Sequence, residues 1–326
     1  MTTTSVPDPA RPSAAAVPAP GPARPATATL ICRAWRAGVV VPAFNIPYLP
    51  MLEPTVRALC DTGTFGLIAV ARLEWMKFGA QRLEAVAEEY RRCGDPRHTR
   101  LHLDHVPVID EDQQPVDYAA IIGRALDAGY GSVMVDGSRL PLAENIRCTR
   151  EIVAMAHAAG VPVEGELGAV MGHEAGPTPP YDELFASGKG FTDAGEAVRF
   201  VAGTGVDWLS VAIGNIHGAI AQATKNQPKV AARLALDQLE RIRTVAAVPL
   251  VLHGGSGIQR EYLQRAFKLG IAKINVGTAT RQPFERLAGQ SLSQAQDAVY
   301  DAAVAVLRDE LGVTGSAALL IPAEPV

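Results

Sequence analysis

Eight short apolar runs recur along the chain, each followed by a stretch with helical spacing, and this alternation limits the fold more than any other feature. The runs fall at residues 39–44, 66–71, 101–105, 132–136, 163–167, 208–213, 250–253 and 272–276. They are short and β-branched or Leu-rich, as parallel strands covered on both faces are. Residues 141–159 end before Gly160 and residues 260–269 end before Gly270, the glycine position that commonly follows a helix. Residues 84–92 and 194–202 have similar amphipathic spacing. Strand–helix units in this number predict an α/β chain folded as a (β/α)8 barrel, the TIM-barrel architecture. A doubly wound open sheet is the alternative, but it calls for a GxGxxG turn after the first strand, and Val41-Pro42-Ala43-Phe44-Asn45 has none. Residues 287–311 read as a closing helix or pair of helices.

The chain has 326 residues, enough for one barrel with extensions, and 48% of them are apolar. Lys and Arg total 30 against 34 Asp and Glu, which argues against a nucleic-acid or anionic-membrane partner. No stretch approaches the ~20 apolar residues of a membrane span. Cys32, Cys60, Cys93 and Cys148 are far apart and form neither a CxxC pair nor a disulfide framework. A cytoplasmic setting follows as the expectation, and any metal falls to scattered His and carboxylates. Residues 1–29, mostly Ala, Pro, Thr and Ser, read as a disordered tail rather than a signal peptide, with 30–326 as the barrel domain.

In such a barrel the C-terminal strand ends carry the chemistry. Here they read His102-Leu103-Asp104-His105, Asp136-Gly137-Ser138, Glu164-Gly165-Glu166, Gly214-Asn215-Ile216-His217-Gly218, His253-Gly254-Gly255-Ser256-Gly257 and Asn275-Val276-Gly277-Thr278. His105, His217 and His253 sit at three different ends. One such histidine alone is better read as structural; three converging suit a zinc ion with an open fourth position. His157, mid-helix, and His98, in a polar loop, read as structural, and His102 as a supporting or core residue. Asp104 is a natural proton carrier, but neighbours on an extended strand face opposite ways, so Asp104 and His105 share the site only if the strand ends or bulges there. The Gly254–Gly257 turn and Asn275-Val276-Gly277-Thr278 lie where barrel phosphate sites are frequently built. Gly218 would let a substrate approach the metal closely.

These blocks, in this order over roughly residues 30–285, resemble the class II, metal-dependent ketose-bisphosphate aldolases, the fructose- and tagatose-bisphosphate group. The shared blocks also include Val41-Pro42-Ala43-Phe44-Asn45-Ile46 and Val211-Ala212-Ile213-Gly214. The resemblance implies a lyase acting on a sugar phosphate through the enediolate of dihydroxyacetone phosphate, paired with an aldehyde. It implies catalytic Zn2+ on His105, His217 and His253, and Asp104 as proton donor to the C4 oxygen. Glu174, in Met171-Gly172-His173-Glu174, matches the mobile-loop carboxylate that moves a proton at the nucleophilic carbon. Asp136 and Glu166 match carboxylates near the metal, open to a second divalent or a monovalent cation. Asn45, Gly218, Gly254, Gly255, Ser256, Asn275, Val276, Gly277 and Thr278 match the substrate cradle. The resemblance further implies a role in carbohydrate metabolism such as glycolysis, and a homodimer or homotetramer.

The chain departs from the family pattern on the aldehyde side. Ala71 stands where relatives often carry Ser or Thr, followed by Arg72 and Glu74. Gly277 and Ala279 replace two carboxylates of the strand-eight block, and a C-terminal Asp-Pro-Arg pattern is missing near Tyr300. The expectation is an acceptor other than glyceraldehyde 3-phosphate, with Arg72 either an anion contact or a solvated surface residue. The competing readings are a non-catalytic barrel subunit and another barrel lyase or isomerase using the same enediolate.

Overall fold

The computed structural model describes residues 26–170, 181–216, 232–255 and 257–321. Parallel strands β1 (Val41–Asn45), β2 (Gly66–Ala71), β3 (Thr99–Pro107), β4 (Ser132–Asp136), β5 (Val163–Leu167), β6 (Trp208–Val211), β7 (Leu250–Leu252) and β8 (Ile271–Val276) close into a barrel in chain order. The chain opens with α1 (Thr27–Ala37). Then α2 (Leu52–Asp61), α3 (Arg72–Lys77), α4 (Leu83–Cys93), α5 (Tyr118–Ala128) and α6 (Leu142–Ala158) alternate with the first strands. They are followed by α7 (Tyr181–Ser187), α8 (Ala194–Thr204), α9 (Leu236–Ala246) and α10 (Arg260–Lys268). Last come α11 (Thr278–Leu287), α12 (Leu292–Ala305) and α13 (Ser316–Leu320).

The alternating runs therefore are the strands of a barrel, with edges shifted by a few residues. The first strand starts two residues later than its apolar run, the third extends to Pro107, and the sixth stops at Val211. The closing segment is α12 continued by a π-helical turn, Val306–Leu311. Thr27, Ala28 and Thr29, read as the end of a tail, already belong to α1. Composition hid this helix: it buries one narrow face, Leu30, Ile31 and Ala34, beneath the barrel.

Period-2 geometry sorts each strand into an inward and an outward row. Near the N-terminal end the inward row is apolar: Val41, Ala43, Leu67, Ala69 and Val251 pack on Leu30 and Ile31 of α1, which plugs that end. Toward the other end the same rows turn polar, through Asn45, His102, Asp104, Glu164, Glu166, His253, Lys273 and Asn275, all buried. The outward rows meet the helices in a second, larger cluster. The two ends are thus chemically unlike, and the polar one sits where the strands finish.

Candidate active site

Strand β3 solves the neighbour problem with a bulge. Its pairing to β4 slips between Leu103↔Val133 and Val106↔Val135, which leaves one extra residue on β3. At the slip His105 adopts φ +31°, a left-handed conformation that costs a non-glycine residue about 1–2 kcal/mol. The bulge turns Asp104 and His105 to the same mouth. There the His105 and His253 rings meet edge-on, 4.4 Å between centroids, with His105 Nε2 2.6 Å from His253 Nδ1.

His253 is oriented from behind. Glu164 Oε1 lies 2.7 Å from its Nε2, which fixes the Nε2–H tautomer and aims the Nδ1 lone pair at His105. The other oxygen of Glu164 accepts from Lys273 Nζ at 2.8 Å and Trp208 Nε1 at 2.6 Å. Lys273 is fully enclosed and also donates to Asn275 Oδ1 at 2.7 Å. Asn275 Nδ2 then reaches both oxygens of Asp104 at 2.9 Å, and Asn45 Nδ2 donates to Asp104 Oδ2 at 2.8 Å. Asn215, on the loop after β6, donates to the His253 carbonyl at 3.1 Å. His102 Nδ1 is bonded to Ser132 Oγ at 2.8 Å, so His102 belongs to the floor of the site.

The electrostatics follow from this arrangement. Burial opposes charge on Asp104, but His105, His102, His253 and Lys273 hold its pKa well below the usual carboxylate range. Burial likewise opposes ionisation of Glu164, and Lys273 and His253 overcome it. His253 is pushed down to about 4 by burial and by the neighbouring His105. For His105 burial is outweighed by Glu166, Asp104 and Asp136, which raise it to about 10. Glu166 is raised well above its ordinary value by burial and by Asp136.

The donor set fits a divalent ion. Ligand atoms of Asp104, His105 and His253 lie within 4.8 Å of one another, and so do those of His105, Asp136 and Glu166. His105 Nδ1 is 3.5 Å from Asp136 Oδ2 and 3.6 Å from Glu166 Oε2, and that buried Glu166 oxygen has no hydrogen-bond partner among the described residues. Imidazole nitrogens with carboxylate oxygens suit zinc. A carboxylate behind one imidazole is the usual support of such a ligand.

The remaining residues read from the sequence divide into three groups. Gly255 N–H donates to the Asn275 carbonyl at 3.1 Å, and a Cβ there would stand 2.5 Å from the Ile274 side chain, so the two glycine-bearing turns meet through backbone. Gly277 and Thr278 open α11 beside Asn45, and Gly254 has φ +64°. Val276 buries its side chain in the outer core. Glu174, His217, Gly218 and Ser256 lie outside the described residues. Of the two structural histidines, His157 bonds Asp207 at 2.8 Å and His98 faces the Thr64 carbonyl at 3.2 Å. Glu164, Lys273 and Trp208 were not singled out from sequence. Their signals were present: Glu164 shares a strand face with Glu166, and Lys273 interrupts an apolar run two residues before Asn275.

Comparison with known proteins agrees with this geometry. A family model described as class-II fructose-bisphosphate aldolase matches residues 26–315. A fructose-bisphosphate aldolase of Geobacillus stearothermophilus is 38% identical over 201 residues, 62% of this chain and 61% of that protein. A 6-phospho-5-dehydro-2-deoxy-D-gluconate aldolase of Shouchella clausii (strain KSM-K16) is 46% identical over 178 residues, 55% of this chain and 52% of that protein. The chain thus spans 61% and 52% of the length of these two curated relatives. Among solved structures, the YdjI aldolase of Escherichia coli K12 superposes with a TM-score of 0.68 at 26% identity, covering 89% of this chain and 98% of that one. A fructose-bisphosphate aldolase of Campylobacter jejuni shares the fold, with a TM-score of 0.65 at 17% identity, covering 88% and 94%. The chain belongs to the class II fructose-bisphosphate aldolase family.

Proposed function

We propose that the protein is a metal-dependent aldehyde-lyase that cleaves, and in reverse forms, a ketose phosphate through the enediolate of dihydroxyacetone phosphate. The observation that carries this reading is the convergence of His105, His253 and Asp104, with ligand atoms within 4.8 Å, at the polar end of the barrel. Cleavage needs a group to take the C4 hydroxyl proton and stabilisation of the charge left on the three-carbon fragment. His105, His253 and His217 would hold a zinc ion, which would supply Lewis-acid stabilisation of that charge. Asp104, kept ionised between two amide donors, accepts the C4 proton and returns it to the aldehyde oxygen in condensation. Glu174 moves the proton at the nucleophilic carbon. Gly254, Ser256, Gly277 and Thr278 would offer backbone amides and hydroxyls to the phosphate, Gly255 fastens that turn to the Asn275 carbonyl through its own N–H, and Gly218 would spare room for the substrate. Asp136 and Glu166 serve a second cation position. The reading includes a homodimer or homotetramer in the cytoplasm, supported by the family resemblance and the scattered thiols.

The aldehyde fragment in this reading is not glyceraldehyde 3-phosphate. Gly277 and Ala279 stand in place of family carboxylates. The Shouchella clausii relative is named for a substrate whose far end is a carboxylate instead of a second phosphate. Arg72, the first residue of α3, is only 16% exposed and lies 3.4 Å from Asp110, so it is not a solvated surface residue, and we assign it the substrate's far anion. The test is release of dihydroxyacetone phosphate from a panel holding fructose 1,6-bisphosphate, tagatose 1,6-bisphosphate and 6-phospho-5-dehydro-2-deoxy-D-gluconate, with and without chelator. Chelator-sensitive release, fastest from the carboxylate substrate and slowed at low concentration by Arg72→Ala, is expected. Fastest turnover of fructose 1,6-bisphosphate overturns the aldehyde assignment. Chelator-insensitive release, or none from any substrate, overturns the lyase assignment.

A further inference from the structure

The end of the barrel opposite the mouth carries a second cluster of ligating side chains. Cys60 sits in the last turn of α2, and Asp95 and His98 lie in the connection from α4 to β3. One ligand atom from each, a thiol sulfur, a carboxylate oxygen and a ring nitrogen, lies within 4.8 Å of the other two. The His98 carbonyl accepts the Gly66 N–H at 2.9 Å, which fixes this connection where β2 and β3 begin. His105 stands near the other end of β3, roughly 20 Å away at ~3.3 Å per residue, so an ion at the mouth touches none of the three.

Local structure already holds the ligands in place. Asp95 Oδ1 accepts the Arg97 N–H at 2.8 Å, and the Asp95 carbonyl accepts the His98 N–H at 2.9 Å and the Thr99 N–H at 2.7 Å. His98 Nδ1 lies 3.2 Å from the Thr64 carbonyl. A carbonyl only accepts, so Nδ1 carries the proton and Nε2 keeps the lone pair that a metal needs. A backbone carbonyl behind the ring is a usual support of a metal-bound histidine. Arg97 Nη2 pairs with Asp95 Oδ2 at 2.8 Å, but the arginine is 78% exposed, and a surface pair of this kind yields readily to an ion. All three ligands are half-buried, which leaves an entry path from solvent.

The donor set decides the chemistry. Thiolate with imidazole and one carboxylate selects zinc-like ions over magnesium and calcium, which take oxygen ligands, and three protein ligands leave a position for water. Burial, Asp95 and Asp61 push the free Cys60 thiol up to about 11, so it is protonated until an ion displaces its proton. We propose that Cys60, Asp95 and His98 form a second site, for a zinc-class divalent cation, that clips the end of α2 to the chain entering β3. An ion bound there by the folded chain alone stabilises the fold by mass action. None of these residues belongs to the mouth, so the site stands whether or not the lyase reading does.

The test is titration of the chelator-stripped full chain with cobalt(II). A thiolate bound to cobalt absorbs in the near ultraviolet, and the ligand clusters at the mouth contain no cysteine. The band should appear in the parent and persist in His253→Ala. It should be lost in Cys60→Ser and in His98→Asn, whose amide can still donate to the Thr64 carbonyl. Both variants should keep the parent's catalytic activity. In His253→Ala, cobalt should raise the urea midpoint, and adding Cys60→Ser should shrink that rise. Absence of the thiolate band from the parent, or its survival in Cys60→Ser or His98→Asn, overturns the site. An equal rise in midpoint with and without Cys60 overturns the clip. Should Cys60→Ser not fold, His98→Asn is read by the same criteria.

Discussion

Replacing Glu164 by Gln changes one oxygen to NH2 and removes one charge, yet the consequences should be large. Three donors converge on this carboxylate: His253 Nε2 at 2.7 Å, Lys273 Nζ at 2.8 Å and Trp208 Nε1 at 2.6 Å. Lys273 and Trp208 share one oxygen, so a glutamine carbonyl settles there and its NH2 faces His253. Nε2 must then accept, the proton moves to Nδ1, and the nitrogen that faces His105 loses its lone pair. Losing such a support typically weakens metal binding about 10- to 100-fold. Lys273, itself fully enclosed, meanwhile loses its only anionic partner among the described residues. Breaking one side of a buried ion pair costs about 3–5 kcal/mol. The assays are zinc competition against a fluorescent chelator and urea unfolding of the metal-free protein. Pairing Glu164→Gln with Lys273→Met should recover most of the stability, since both charges are gone, and leave zinc binding weak. Parental zinc affinity in Glu164→Gln, or a stability loss under about 1 kcal/mol, would refute the tautomer argument and the buried-pair argument respectively.

Further outcomes follow from the same geometry. His253→Ala should lose zinc and lyase activity together, whereas Asp104→Ala should keep zinc and lose about 10²- to 10⁴-fold in kcat, read by metal analysis beside steady-state kinetics. Glu74 has a folded pKa of about 8 against an ordinary 4.5, so the folded state holds the extra proton. Its contribution is complete below pH about 4.5 and is lost as pH rises through about 8. Asn45, Asp104 and His105 face this group, and Tyr130 feels its charge. Urea midpoints of the parent and Glu74→Gln should therefore diverge across that window; parallel profiles would contradict the assignment. Gly165→Ala places a Cβ 2.8 Å from the Phe200 ring and 3.0 Å from Val206 Cγ1, and should destabilise by about 1–3 kcal/mol in unfolding experiments.

How much could be read from sequence differs between the barrel and its mouth. Strand order and count were legible because parallel strands buried on both faces leave unbroken apolar runs, as in 66–71 and 132–136, whose bounds coincide with β2 and β4. Helix α1 was not, since its 11 residues begin inside an Ala-, Pro- and Thr-rich stretch whose composition reads as a tail. In the site, His105 and His253 stood out as unusual residues at strand ends. The bulge that turns Asp104 beside His105 could be stated only as a condition, because a register slip is decided by the partner strand. Lys273 and Glu164 were harder: a charge inside a strand gains meaning only when the other side of the barrel supplies its counter-charge. Glu74 was visible as a departure beside Ala71 and Arg72, but its inward turn depends on the path of α3.

The proposed lyase chemistry requires one divalent ion gathered by His105 and His253 at the polar mouth. The most direct measurement is anomalous diffraction at the zinc edge from crystals of the zinc-loaded protein. A full-occupancy peak bonded to both imidazoles at about 2.0–2.1 Å, with Glu164 still behind His253, is expected. A peak on another cluster, such as Cys60 with Asp95 and His98, and none between these two rings would contradict it.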